Sequence, residues 1–325
     1  MSKLEGFALV GDVGGTNARL SLVNLADGTL SNTKIYSSVD NESLEQVIVK
    51  YRNEVNAQFD HACIAIASML NGDYVKMTNN HWEFSISQMK ANLGLKDLIF
   101  INDFTAMSMS TVAIRREDMI KIGGDKVVEG APMAIYGAGT GLGVGYLVKV
   151  NQKWIPLPSE GGHVYVATTN DRQDDILKVL RKSFDHVSAE RLLSGQGLVN
   201  LYKAIATLNG HEVKDVQPCD VTASAFAATP CPDCKEAVDQ FCALMGTFGA
   251  NLVVNVLAKG GVYIAGGIVP RFIEYFKNSD FRKCFENKGR FSNLLASIPV
   301  YVLECQDAGL LGAGAYIRQE LGAVL

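Results

Sequence analysis

The sequence predicts an α/β protein of two similarly built halves. Three observations point to it: strands and helices alternate along the first third, two glycine-rich turns each join a pair of apolar strands, and helical patterns in the second half return to strands near the end. The first turn lies in Phe7-Ala-Leu-Val-Gly11-Asp12-Val13-Gly14-Gly15-Thr16-Asn17, followed by Ala18–Val23. The second lies in Met133-Ala-Ile-Tyr-Gly137-Ala-Gly139-Thr140-Gly141-Leu142-Gly143, followed by the apolar run to Val148. Aligned on Ala8 and Met133, they share one plan of strand, turn and strand.

Taken in order, Phe7–Gly11, Ala18–Val23 and Thr33–Ser37 alternate as strands, and Glu42–Val55 has the spacing of an amphipathic helix. His61–Ala67 reads as a buried strand, Ser85–Leu93 as a short helix and Leu98–Ile101 as a strand, with a helix from Phe104. In the second half the Met133–Val148 hairpin leads to helical patterns over 171–258. A strand at Val262–Ala265, a helix after Gly267, a strand at Val300–Leu303 and a closing helix from Gly309 follow. The expected division is a small domain over 1–113, completed by the last helix at about 305–325, and a large domain over 114–304.

Glycine is needed where backbone takes positive φ or where a ligand approaches the amides. A turn that exposes N–H groups binds anions such as phosphate. Neither turn ends in the Gly-Lys-Ser/Thr of a P-loop, and neither opens a helix as a dinucleotide turn does. Two clamps on one polyphosphate are therefore expected, between halves that close on it. Asp12 within the first turn suits a Mg²⁺ ion, reached directly or through water, beside the phosphates.

Composition agrees with an ordinary soluble globular protein. The 325 residues are 48% apolar and 20% charged, with a net charge of −4 and no basic run, so nucleic acid is not an expected partner. Met1 to Gly15 has no long apolar core, so no signal peptide is expected. Phe241–Ala258 carries no charge, but Thr247, Asn251 and Asn255 interrupt it, which favours a buried helix over a membrane span. Cytoplasmic location and no membrane partner follow as expectations. Seven cysteines include one CxxC pair, Cys231 and Cys234, read as a helix start, and no second pair completes a zinc site.

The acid–base candidates lie between the turns. Asn102 and Asp103 stand where a strand meets a helix, at the sheet edge where open α/β sheets bind ligands. Spacing leaves two roles open: capping the helix, or Asp103 taking a proton from a substrate hydroxyl that Asn102 orients. Glu160-Gly-Gly-His163 adds an acid and an imidazole around a turn, and Ser188-Ala-Glu190 adds a capping-type serine and an acid. Together Asn102, Asp103, Glu160, His163 and Glu190 could surround a polyhydroxylated ligand.

With these motifs in hand, the chain resembles the bacterial-type glucokinases, within the hexokinase, actin and Hsp70 ATPase superfamily. The resemblance rests on Gly11–Arg19, Ile101–Ala106, Gly137–Gly143, Glu160–His163, Val187–Arg191 and Ile264–Arg271, in order over nearly the whole chain. It implies a two-domain actin-like ATPase fold, ribonuclease H-like, with a central nucleotide and sugar cleft. It also implies transfer of the γ-phosphate of MgATP to the 6-hydroxyl of glucose, with Asp103 as catalytic base. Asn102, Asp103, Glu160, His163 and Glu190 would bind the sugar. Gly11, Asp12, Val13, Gly14, Gly15, Thr16, Gly137, Gly139, Thr140 and Gly141 would hold the phosphates, and Gly266 and Gly267 would meet the adenosine. A homodimer is implied as well.

The sequence departs from the family at Ser68-Met69-Leu70-Asn71, where a proline-containing turn is usual, and at Tyr165, where an acid is usual. Thr168-Thr-Asn170 stands in place of a zinc-binding cysteine loop, so no structural zinc is expected. Kinases of mannose, fructose or an amino sugar, a non-enzymatic actin-like ATPase and a sugar-responsive regulator are the competing readings. The last would need a DNA-binding module for which no room precedes the first strand at Phe7.

Overall fold

A computed structural model describes residues 4–68 and 70–325, so Met69 of the unusual turn lies outside the described residues. The chain packs as two compact units. The first holds the chain up to Asp118 together with Leu147–Pro158 and Cys305–Leu325; the second holds Met119–Tyr146 and Ser159–Glu304.

The chain begins with β1 (Phe7–Val13), β2 (Asn17–Asn24), β3 (Leu30–Ser37), α1 (Leu44–Val55) and β4 (His61–Ile66). A two-stranded ribbon, β5 (Tyr74–Lys76) and β6 (Glu83–Ser85), then leads into α2 (Ile86–Asn92), β7 (Asp97–Asn102) and α3 (Asp103–Ser110). The ribbon is absent from the sequence expectation because three-residue strands are too short to display a period. The sheet runs β3-β2-β1-β4-β7, antiparallel across β1–β2–β3 and parallel across β1–β4–β7.

Strand alternation sorts the side chains of β1 between two faces. Leu9 and Val13 join the cluster containing Leu44, Ile48 and Tyr51 of α1. Ala8 and Val10 join the opposite cluster, with Leu310, Ala313 and Ile317 of the closing helix. By the same parity, Asp12 falls on the closing-helix face. Its partner across the β1–β2 pair is Arg19.

The chain continues through β8 (Ile120–Lys121), β9 (Met133–Ala138), β10 (Leu142–Val150) and β11 (Lys153–Ser159). Then come α4 (Asp171–Leu180), α5 (Gly195–Asn209), α6 (Pro218–Ala225), α7 (Pro232–Val256), β12 (Val262–Ala265), α8 (Ile273–Lys277), α9 (Phe281–Glu286), α10 (Ser292–Ser297), β13 (Val300–Val302) and α11 (Ala308–Glu320). The second sheet runs β11-β10-β9-β12-β13-β8. Each sheet thus sets three chain-consecutive strands beside two strands from later in the chain, and the second adds β8 at its far edge; the strand, turn and strand plan read from the sequence corresponds to β1–β2 and β9–β10.

The helix expected directly after Gly267 is instead a 3₁₀ turn over Val269–Phe272 followed by the five-residue α8. Helix α7 is long and apolar enough to cross a bilayer, but 72% of its most apolar window is buried in the protein, as a core helix requires. It starts at Cys231, with Pro232 in its first turn; both CxxC cysteines are free thiols, and burial pushes the Cys234 thiol up to about 12.

Candidate active site

Four residues, Gly14 to Asn17, close the first glycine turn: Val13 opposes Ala18, and the intervening backbone reverses with Gly14 N–H donating to Asn17 O at 2.9 Å. The turn's carbonyls face the protein. Asn80 donates to Gly14 O at 3.2 Å, the Ser38 hydroxyl to Gly15 O at 2.7 Å and the Ser38 N–H to Thr16 O at 2.9 Å. In a trans peptide the N–H points opposite to the C=O. The Gly15 and Thr16 amides, which share peptides with the Gly14 and Gly15 carbonyls, are therefore aimed outward, as an anion-binding concavity requires. Gly11 and Val13 are buried in β1, and a Cβ on Gly11 would meet Ile64 and Leu20 at under 3.0 Å.

Asp12 stands at the centre of a charged group that spacing alone did not reveal. Burial pushes its carboxyl up from the ordinary range, Arg19 opposes that, and Asp103 and Asp307 push it further up. Arg19 donates to Gln306 O and to Asp307 Oδ1 at 3.2 Å, fastening β2 to the start of α11. Gly309 gives the Asp12 carboxylate its room, since a Cβ there would lie 2.8 Å from Oδ2. Arg19 lay inside the quoted motif. Asp307 and Gly309, nearly three hundred residues away, had no local signal.

Of the two roles that spacing leaves open, the structure shows Asn102 in the capping one. It is the N-cap of α3, and its side chain accepts from Phe104 N–H at 2.9 Å. Asp103 occupies the first helical turn, partly exposed, with its carboxylate 2.9 Å from the same N–H. The helix is pressed onto α11 at Gly312, where a Cβ would lie 1.7 Å from Ala106 O. That contact fixes where the acid stands.

In the second unit, Leu142 organises the predicted residues. Its N–H donates to Glu190 Oε2 at 2.9 Å. Its carbonyl lies so close to Gly162 that a Cβ there would come within 2.0 Å, so the Glu160–His163 turn rests directly on β10. The Ala189 N–H donates to Val164 O at 2.8 Å, and Tyr165 bridges to Ser188. The structure therefore brings Glu160, His163 and Glu190 together around the second glycine turn. Glu160 and His163 are exposed, with a 4.0 Å separation between His163 Nε2 and Glu160 Oε2. Tyr165 packs edge-on against His186 at 4.3 Å, and His186 in turn contacts His163 O at 2.7 Å.

The capping reading of Ser188 needs correction. Ser188 makes no capping hydrogen bond, and Glu190 sits in a single 3₁₀ turn, Ala189–Arg191, rather than at the head of a helix. A turn that short has little dipole for the acid to favour, so the Leu142 N–H holds it instead. The second turn also uses some amides internally: Gly139 N–H donates to Gly141 O at 2.8 Å, and Gly195 N–H to Gly139 O at 2.8 Å.

Gly137 is buried within β9, and Gly266 has a φ of +87°; side chains there would collide with the backbone of Ala265 and Ala138 respectively. These two glycines let β9 and β12 run close together. Just beyond them opens a cavity of about 510 Å³. Gly139, Thr140, Gly195, Pro218, Gly267 and Arg271 are among the residues lining it, so the turn after β9 and the turn after β12 meet there, at the first turns of α5 and α6.

This arrangement has known counterparts. A family model described as Glucokinase matches residues 9–320. A glucokinase of Yersinia enterocolitica is 54% identical over 322 residues, covering 99% of each chain. One of Escherichia fergusonii is 52% identical over 319 residues, covering 98% of this chain and 99% of its own. The crystal structure of a glucokinase from an Antarctic psychrotroph matches with a TM-score of 0.91 at 32% identity, covering 96% of this chain and 99% of its own. A ROK family glucokinase of Streptomyces griseus, solved with glucose and AMPPNP, shares the fold at a TM-score of 0.63 and 16% identity, over 97% of this chain and 100% of its own. The fold is the two-domain actin-like ATPase fold of such kinases, and with a family match over nearly its full length the chain belongs to the glucokinase family.

Proposed function

We propose that the chain is an ATP-dependent glucokinase that transfers the γ-phosphoryl group of MgATP to the 6-hydroxyl of glucose, with Asp103 as general base. Family membership supports the activity. The single observation supporting the residue roles is that one unit carries an outward-facing amide turn, Asp12 and Asp103 in one electrostatic neighbourhood. Phosphoryl transfer asks mainly for positioning and charge neutralisation, and a positioned base contributes roughly 10²- to 10⁴-fold.

In this reading Asp103 accepts the hydroxyl proton as the oxygen attacks phosphorus. Asn102, Glu160, His163 and Glu190 hydrogen-bond to the other hydroxyls and hold the sugar in one pose. Amides of Gly11–Thr16 and of the Gly137–Gly141 segment receive the phosphates, and Gly266 and Gly267 flank the adenosine. Among the described residues no three metal-ligating side chains gather. The Asp12 carboxylate, with Asp103 and Asp307 near it, fits a Mg²⁺ ion carried by ATP and would hold it through water; such an ion neutralises phosphate charge when bound. A homodimer in the cytoplasm completes the proposal, and sedimentation of the purified protein at a dimer's mass would support it.

A coupled assay for glucose 6-phosphate, with mannose, fructose and N-acetylglucosamine beside glucose, tests the substrate. Turnover confined to another sugar overturns glucose as the substrate. Asp103→Ala is expected to abolish transfer while nucleotide binding survives, and near-normal turnover in that variant refutes the base assignment. Glu190→Gln is expected to raise the glucose KM strongly.

A further inference from the structure

We infer that Gly141 is a positioning residue for the sugar-binding acid: the Gly141–Leu142 backbone is the seat on which the Glu190 carboxylate lies. The inference rests on the reading that Glu190 binds the sugar. It gives one glycine of the second turn a part in placing the sugar-binding acid.

Leu142 N–H donates to Glu190 Oε2 at 2.9 Å. A Cβ built on Gly141 would lie 2.5 Å from that same oxygen and 3.3 Å from the carboxyl carbon. Conformation does not explain the glycine, because Gly141 is not among the residues with positive φ. The requirement comes from the carboxylate, which occupies the space a side chain would take. Behind it, Glu190 is fixed from its own backbone: Ser194 Oγ donates to Glu190 O at 2.8 Å, and Ala189 N–H donates to Val164 O. The acid is thus held between a short turn that cannot shift freely and a strand start without a side chain.

The atom in the way is the far end of a flexible side chain. A methyl at 141 therefore displaces the carboxylate while leaving the backbone in place. Losing charge-assisted hydrogen bonds through such a displacement typically costs a factor of ten or more in affinity.

The test compares wild type, Gly141→Ala, Glu190→Asp and the double variant, reading kcat and the KM for glucose and for MgATP. Gly141→Ala is expected to raise the glucose KM about tenfold and change the MgATP KM less than about twofold. Glu190→Asp, one methylene shorter, leaves the space empty, so adding Gly141→Ala to it should change little, a strong departure from additivity for groups in contact. A raised MgATP KM with the glucose KM unchanged overturns the inference, as do effects that simply multiply. If Gly141→Ala fails to fold, rescue of folding by Glu190→Asp supports the seat, and failure of rescue overturns it. Absence of turnover on any hexose by the wild type would instead refute the functional reading. In that event, rescue of the thermal stability of Gly141→Ala by Glu190→Asp still decides the seat.

Discussion

Replacing Gly312 with alanine should reach the reaction through the closing helix. The new Cβ would lie 1.7 Å from Ala106 O, 2.5 Å from its carbonyl carbon and 3.0 Å from Ser110 N. These are backbone atoms that no rotamer change can move. Ordinary contact begins near 3.4 Å, so α11 and α3 must separate by roughly 1.7 Å at that point. Overpacking of this kind costs about 1–3 kcal/mol. Alanine recovers up to about 1 kcal/mol of that as the better helix former. The net loss of about 1–2 kcal/mol, in a chain of 325 residues, should lower Tm by about 1–3 °C. The kinetic effect is expected to be larger, because Ala106 lies one turn from Asp103. A misplacement of about 1 Å at a reacting group can cost about 100-fold.

The same helix supplies the controls. At Gly309 the obstructed atom is Asp12 Oδ2, and at Gly314 it is Val23 Cγ2 at 2.9 Å. Gly309→Ala should therefore lower kcat with little change in Tm, because a carboxylate moves and the backbone does not. Gly314→Ala should leave kcat near wild type. Thermal melts and the glucose 6-phosphate assay measure all three. An unchanged kcat and Tm for Gly312→Ala, or three variants that behave alike, would refute the claim that this backbone contact sets the position of Asp103.

Other expected outcomes follow from the same geometry. Gly162→Ala places a Cβ 2.0 Å from Leu142 O, so the turn bearing Glu160 and His163 must lift. The glucose KM should rise several-fold and the MgATP KM should hold, and equal rises in both would count against the assignment. Lys34 and Tyr36 hydrogen-bond to Glu54 and hold its carboxyl below the usual range. A depressed carboxyl contributes stability that is present above its unfolded pKa and lost as pH falls through the folded one. Glu54→Gln should therefore melt below wild type at pH 7, and the gap should close in acid; a gap that widens as pH falls would reverse the sign.

Much of the fold and part of the site are legible in the sequence. Local chemistry is written locally: alternation and short apolar runs located β1, β2, β3, β4 and β7, glycine spacing located both turns, and an Asn-Asp pair marked the end of β7. Capping and catalysis could not be separated there from spacing, because one side chain can serve as N-cap and still face a ligand. Short elements, such as the β5–β6 ribbon, α9 and α10, escaped because they hold too few residues to show a period.

Tertiary structure alone decided the partners of those motifs. Nothing near Asp12 in the chain announces Asp307 or Gly309, and nothing near Gly141 announces Glu190. Nor does the sequence say that 147–158 packs with the first unit, where Trp154 exchanges backbone hydrogen bonds with the side chain of Gln319. The physical reason is the range of the interactions. Periodicity and turn chemistry act over a few residues, and so they can be read in order along the chain. Close packing and charge act through space, where a glycine's missing side chain has meaning only once the atom that fills its place is known.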